Sequence, residues 1–295
     1  MRVGGTLSVL APGKVNLCLL LGPTRADGLH ELVSLVQSVS LADELTLGPA
    51  GPDAGADEVH CPGVAGPNLV ATALAAFREE TGWSSDPVRV IVEKRVPVAG
   101  GMGGGSGDAA AALRLAVHVA GTGEDVARRL APGLGADVPA QLTPGLHLVG
   151  GAGEELELLA PRALFGVLIL PDFEPLPTSD VFAEADRLGL GRPADELAVR
   201  RHELREALGH GDDLPPPELL VNDLEPAALS LRPRIAERLD AARAAGATTA
   251  LVSGSGPTVF GLFGGMEGAA FASAAAAELD GFAAVPVEAG WAGVR

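Results

Sequence analysis

The stretch Pro97-Val98-Ala99-Gly100-Gly101-Met102-Gly103-Gly104-Gly105-Ser106-Gly107-Asp108, running into Ala109-Ala110-Ala111-Ala112-Leu113, constrains the fold of this chain more than any other segment. Six of the eight positions from Gly100 to Gly107 are glycine. Residues without a Cβ let the main chain approach a ligand closely and take positive φ at little steric cost. The alanine run behind them favours a helix, with Ser106 placed to cap it and Asp108 as an acid in its first turn. A helix N-terminus there offers free N–H groups and the positive end of the macrodipole, which suits an anion, most often phosphate. The chain holds 40 glycines, so a plain flexible turn is the competing reading.

A length of 295 residues fits one large domain or two ordinary ones, and 47% hydrophobic content supplies a core. Aromatic residues make up only 3%, so Leu, Val and Ala must build that core. The formal charge of −17, without a run of Lys or Arg, argues against nucleic-acid and anionic-membrane partners. Small anions are still admissible, because local N–H groups and one or two lysines decide their binding. Cys18 and Cys61 have no metal-ligand spacing and read as core or incidental thiols. The short apolar N-terminal stretch is broken by Pro12, Gly13 and Lys14, unlike a signal peptide, and no apolar run suits a membrane span. The expected compartment is the cytoplasm.

Along the chain, residues 6–21 read as two strands hinged at Pro12-Gly13, and Leu32 to Leu47 as strand. Asn68 is placed to cap a helix running to Gly82, and Val88 to Glu93 is a strand leading into the glycine loop. A short helix near Glu124–Leu130 and strand-like residues from Leu146 to Leu159 follow. Composition changes near residue 160, which divides the chain into residues 1–160 and 161–295. Beyond it lie a buried strand from Ala163 to Pro171 and helical patterns at 178–189, 195–209 and 232–245. A hairpin around Ser253-Gly254-Ser255-Gly256-Pro257, a helix at 266–279 and a strand at 282–288 close the chain. Strands and helices mixed without strict βαβ alternation predict an α+β fold.

The loop is neither of the common nucleotide motifs. Ser106-Gly107 stands where a Walker loop needs Lys and Ser/Thr. In a dinucleotide fingerprint starting at Gly101, the third glycine falls on Ser106. Three other segments accompany it: Pro12-Gly13-Lys14-Val15-Asn16-Leu17, Gly135-Ala136-Asp137-Val138-Pro139 and the Ser253–Thr258 small-residue loop. In this order they resemble the GHMP superfamily of small-molecule kinases. The segments Arg25-Ala26-Asp27-Gly28-Leu29-His30-Glu31-Leu32, Asn68-Leu69-Val70, Pro177-Thr178 with Phe182, and Asn222-Asp223-Leu224-Glu225-Pro226 narrow the resemblance. They are similar to the branch that phosphorylates a cytidine-diphosphate-linked methylerythritol at its 2-hydroxyl in the non-mevalonate isoprenoid route. The similarity spans about residues 8–263.

That resemblance implies a two-domain GHMP-kinase-like fold, with an N-terminal ribosomal-protein-S5-like domain and a C-terminal ferredoxin-like α/β sandwich. It implies ATP as donor, Mg²⁺ with it, a small cytidyl substrate, and a monomer or weak homodimer. Asp137 takes the acceptor's proton and Lys14 lies beside it, lowering its pKa and offsetting charge. The competing readings are a turn aspartate capping a local N–H and a solvated strand-end lysine. Pro97, Gly100, Gly101, Gly103, Gly104, Gly105 and Ser106 form the ATP loop, with Asn68 and Lys94 lining the adenine pocket. Ser106 is a candidate for contact with Mg²⁺ and Asp108 a second, less favoured one; the sequence does not identify the ligands. Asn16, Leu29, His30, Thr178, Phe182, Ser253 and Gly254 form the acceptor site, His30 meeting the polar edge of cytosine. The chain departs from the family pattern at Leu29, where an aromatic residue usually stacks on the base, and Phe182 is placed to cover the other face. The rivals are another alcohol acceptor, such as homoserine or a mevalonate-type alcohol, and a non-catalytic nucleotide-binding relative.

Overall fold

The computed structural model describes residues 5–64, 66–98, 100–162, 164–172, 174–209 and 213–295; Ala99, Ala163 and His210 lie outside the described residues. The first half is organised by two long antiparallel strands, β1 (Leu7–Thr24) and β2 (His30–Pro49). The Pro12-Gly13 hinge of the sequence reading is instead a register shift inside one continuous strand. Pairing with β2 resumes at Lys14, and the Lys14 N–H is satisfied by the Met102 carbonyl at 2.9 Å, so Pro12 bulges the strand without ending it.

Among the described residues, β3 (Glu58–His60), β4 (Val88–Glu93), β5 (Leu146–Gly150) and β6 (Glu155–Leu159) complete this sheet. Its order is β3-β4-β2-β5-β6, with β1 also on β2; only β3 and β4 run parallel. Helices α1 (Leu69–Thr81), α2 (Gly104–Ala120), α3 (Asp125–Leu134) and the short α4 (Val138–Leu142) belong to this half. Asn68 caps α1 by accepting from the Val70 N–H at 2.9 Å, and Gly82 ends it in the left-handed region at φ 64°. Buried alanines 109–112 of α2 pack with Val70, Leu74 and Phe77 of α1 against Val88, Val90 and Val92 of β4. Small side chains let the helix come close to the sheet, which places its N-terminus beside β1.

The second half is a β-α-β-β-α-β unit elaborated by extra helices. Strands β7 (Gly166–Leu170), β8 (Thr249–Val252), β9 (Val259–Phe263) and β10 (Phe282–Ala284) form an antiparallel sheet of order β10-β7-β9-β8. The last strand is shorter than 282–288; beyond it Pro286 makes only an isolated bridge to Val39. Helices α5 (Thr178–Leu188), α6 (Ala194–Gly209), α7 (Glu225–Leu231), α8 (Ile235–Ala244) and α9 (Gly268–Glu278) surround it. The strand period of two divides its side chains cleanly. Val167, Ile169, Phe260 and Leu262 meet Val15, Leu17 and Leu35 of the first sheet, while Leu168, Leu170, Val259 and Phe263 meet Ile235, Leu239 and Ala272 of the helices.

Several main-chain ties join the halves, among them Arg192 N–H to the Leu21 carbonyl at 2.8 Å and Ser40 N–H to the Val285 carbonyl at 2.8 Å. Leu19 donates to the Val221 carbonyl at 2.8 Å and accepts from the Asp223 N–H at 2.9 Å. Near the C-terminus, Arg295 and Ser8 exchange two backbone bonds of 2.9 Å. Both cysteines are free; burial pushes the Cys18 thiol up to about 12, which keeps it inert.

Candidate active site

Lys14 and Asn16 sit two residues apart on β1 and therefore share a face. Both are buried. The Lys14 ammonium donates to Asn16 Oδ1 at 2.8 Å and lies 3.6 Å from Asp137 Oδ2. Asn16 Nδ2 donates to Ser34 Oγ at 2.9 Å, and that hydroxyl donates to the Cys18 carbonyl at 2.6 Å. This chain of bonds fixes the amide with its oxygen toward the lysine. Asp137 stands at the N-cap position of α4 yet makes no side-chain capping bond, and its carboxylate is 43% exposed. The local-capping reading of Asp137 is thereby set aside: the carboxylate faces open space beside a buried ammonium.

The glycine loop bounds a cavity of about 290 Å³ lined by Lys94, Pro97, Gly100, Gly101 and residues 103–106. Helix α2 starts at Gly104, earlier than expected, and its N-cap is Gly103 with φ 65°. Ser106 is therefore inside the first turn and does not cap; the left-handed glycine lets the helix begin two residues before it. The first intrahelical bond at this end runs from the Gly107 N–H to the Gly103 carbonyl, so the amides of Gly104, Gly105 and Ser106 precede it. Gly101 (φ 73°) and Gly103 must lack side chains. A Cβ at Gly101 would collide with the Ser253 and Gly256 carbonyls, and one at Gly103 would lie 3.2 Å from Lys14 and 3.5 Å from Asp137 Oδ2.

Asp108 departs most from expectation. It is buried in α2 beyond the first turn and accepts from the Lys94 ammonium at 2.8 Å, so tertiary pairing and not the helix dipole places it. Lys94 also donates to buried Asp43 at 2.5 Å. Burial pushes the Asp108 carboxyl up to about 7 against the pull of Lys94. Burial alone would lower the Lys94 ammonium, but Asp108 and Asp43 together hold it above its ordinary value. Asn68 spends its oxygen on the α1 cap while its neighbour Leu69 lines the loop cavity.

A larger cleft of about 810 Å³ lies between the halves, and Lys14, Asn16, Leu29, His30, Asp137, Thr178, Phe182 and Gly254 all line it. His30 Nε2 lies 2.8 Å from Asp186 Oδ1 and 3.3 Å from Thr24 Oγ1. The Phe182 ring is 5.4 Å from the imidazole and inclined by 38°. Leu29 is 54% exposed at the rim, a large apolar side chain left open where a planar ligand could rest. Thr178 Oγ1 lies 3.0 Å from Ser255 Oγ, and Ser253 Oγ donates to the Gly101 carbonyl at 3.2 Å, tying the second-half loop to the glycine loop. Asn222 holds that loop by donating to the carbonyls of Val252 (2.8 Å) and Gly254 (2.7 Å).

All the sequence-derived site residues thus fall on two adjoining cavities, apart from Asn68, which borders one, and Ser253, whose hydroxyl bonds the loop between them. Sequence reasoning missed Asp186 and Ser34. Asp186 lies one helical turn after Phe182 on α5, and that spacing was the signal available. The cavities share Gly101 and Gly103, and Lys14 and Asp137 stand at that shared wall. Chemically, this puts a backbone anion site next to a carboxylate–ammonium pair facing a cleft large enough for a nucleotide-sized molecule.

The family model described as GHMP kinases N terminal domain matches residues 68–145, and that of GHMP kinases C terminal matches residues 202–281. The chain is 40% identical over 271 residues to the 4-diphosphocytidyl-2-C-methyl-D-erythritol kinase of Thermobifida fusca, covering 88% of this chain and 87% of the relative. It is 42% identical over 268 residues to that of Mycolicibacterium gilvum, covering 86% and 81%. A crystal structure of 4-(cytidine 5'-diphospho)-2C-methyl-D-erythritol kinase superposes with TM-score 0.77 at 33% identity, over 96% of this chain and all of that one. A homoserine kinase from Cytophaga hutchinsonii shares the fold, with TM-score 0.67 at 19% identity over 100% of this chain and 98% of its own.

Proposed function

Because the chain belongs to the 4-diphosphocytidyl-2-C-methyl-D-erythritol kinases within the GHMP family, we propose that Lys14 and Asp137 carry its phosphoryl transfer at the wall between the two cavities. The protein is an ATP-dependent kinase that phosphorylates the 2-hydroxyl of 4-diphosphocytidyl-2-C-methyl-D-erythritol. Catalysis of this kind is mostly positioning and charge stabilisation. The observation that carries the assignment is the shared wall: Gly101 and Gly103 line both the loop cavity and the cleft. An acceptor hydroxyl beside Asp137 faces a γ-phosphoryl seated on the free amides of α2.

Asp137 takes the hydroxyl proton, and Lys14, held by Asn16, offsets the charge that grows on the transferring group. His30 and Phe182 receive the cytosine, with Asp186 fixing the imidazole and Leu29 covering the outer face of the base. Thr178, Ser253 and Gly254 close the acceptor side. Mg²⁺ belongs to this reading as part of the MgATP substrate, since this ion is usually held by substrate phosphates with one or two carboxylates. Both cavities are lined by one chain, which suits a monomer or weak homodimer acting on small molecules in the cytoplasm. None of the helices among the described residues is long and apolar enough to cross a membrane. The two sheets lie on either side of residue 160, which supports the division of the chain there.

The test is ATP consumption against a panel of alcohols including the cytidyl substrate, homoserine and mevalonate. Wild type is expected to turn over the cytidyl substrate alone. Asp137→Ala should lose at least ~10²-fold in kcat while ATP still binds, the range of a general base. Full turnover by that variant would overturn the assignment.

A further inference from the structure

We propose that Asp108 is a positioning residue for the nucleotide: with Asp43 it holds the Lys94 ammonium beneath the first turn of α2, where the polyphosphate of ATP is to settle. This rests on the ATP reading above and moves Lys94 from the adenine lining that the resemblance implies to the polyphosphate, as a source for the cation that the loop's own sequence lacks. Lys94 follows directly on β4, just before the glycine loop, and Asp108 lies just after the loop inside α2. Their side chains meet at 2.8 Å, so one ion pair ties both ends of the loop together. Asp43 braces the tie from β2. Its Oδ2 accepts from Lys94 at 2.5 Å, and its Oδ1 accepts from the Arg95 and Val96 N–H groups at 2.5 and 2.8 Å. The ammonium lies 3.3 Å from where a Cβ on Gly104 would stand, and Lys94 lines the loop cavity.

A flexible lysine loses much rotamer freedom when held to one place, and two carboxylates supply the restraint in advance of the ligand. Their second negative charge has a cost for an anion site. Asp108 is where that charge is weakest: its Oδ1 is buried without a hydrogen-bond partner, and burial already favours its neutral form. The restraint on Lys94 therefore needs the shape of the Asp108 side chain and an oxygen facing the ammonium, and does not need its full charge. Asparagine supplies both.

The experiment measures MgATP affinity by calorimetry, and KM for ATP and kcat at saturating acceptor, on intact protein. Asp108→Leu should raise Kd and KM for ATP at least ~5-fold with kcat within about twofold, because the reacting groups at Lys14 and Asp137 are untouched. Asp108→Asn should restore wild-type affinity or better. In a double-mutant cycle, adding Asp108→Leu to Lys94→Met should cost nothing further, because the aspartate acts through the lysine. Circular-dichroism melts check folding; should Asp108→Leu not fold, the asparagine variant and the cycle built with Asp108→Ala decide. Unchanged ATP affinity in Asp108→Leu, an asparagine variant as impaired as leucine, or additive losses in the cycle would each overturn the proposal. A wild-type protein that binds no MgATP would instead overturn the ATP reading on which it rests.

Discussion

The glycine loop and the acceptor cleft lie wall to wall but are built by opposite means. The loop site is made mostly of main chain: amides at the start of α2 and glycines that leave room, with Val64 and Leu69 at its edge and a single lysine, Lys94, from the residue after β4. The cleft is made of side chains drawn from β1, β2, α5 and the loops around Asp137 and Gly254. A backbone site depends on what is absent, so one added methyl group can abolish it. A side-chain site depends on several modest contacts and yields by degrees.

The largest effect therefore belongs to the loop. Gly101→Val places carbon against the Ser253 and Gly256 carbonyls at a φ of 73°, which β-branched residues avoid. ATP-dependent turnover should fall by ~10²-fold or more, read by kcat/KM together with calorimetric ATP binding. A tolerated valine would erase the contrast between the two sites. Next comes the cleft residue that holds His30. Asp186→Ala removes the 2.8 Å partner of the imidazole and should raise KM for the cytidyl substrate by about 5- to 10-fold, the net value of one ordinary hydrogen bond. KM for ATP should stay put, and a matching rise there would show that the two sites are not separable. The smallest effect is a gain: Leu29→Tyr adds a stacking face at an exposed rim and should lower acceptor KM by about 2- to 5-fold, the low end of base–aromatic stacking. Steady-state kinetics with the cytidyl substrate checks it, and no change would mean that Phe182 alone covers the base.

What was legible in the sequence follows the same division. Helix α1 could be read because Asn68 and Gly82 act within a few residues of their partners. The phosphate loop could be read because glycine is visible wherever it stands. Tertiary pairing misled the reading at Asp108, whose position depends on Lys94, and a local backbone choice did so at Ser106, where a left-handed Gly103 started the helix early. Pro12-Gly13 read as a hinge because the carbonyl that satisfies the next amide comes from Met102, far along the chain. Helix α4 spans only Val138–Leu142, too short to show a period. Asp186 left its trace only as a helical neighbour of Phe182, since its partner His30 lies 156 positions away.

The bond from the Lys14 amide to the Met102 carbonyl has a dynamic consequence. Met102 is buried among Val96 and its neighbours, so the middle of the loop is nailed to β1, as its two ends are to each other by Lys94 and Asp108. The nucleotide cradle is thus formed before its guest arrives, and little chain entropy is left to lose on binding. Lys14 meanwhile takes its backbone register from the loop and its side-chain register from Asn16, so donor and acceptor are indexed to one residue. Deuterium exchange at that single amide reports whether the cradle is seated, with the enzyme at rest and no substrate present.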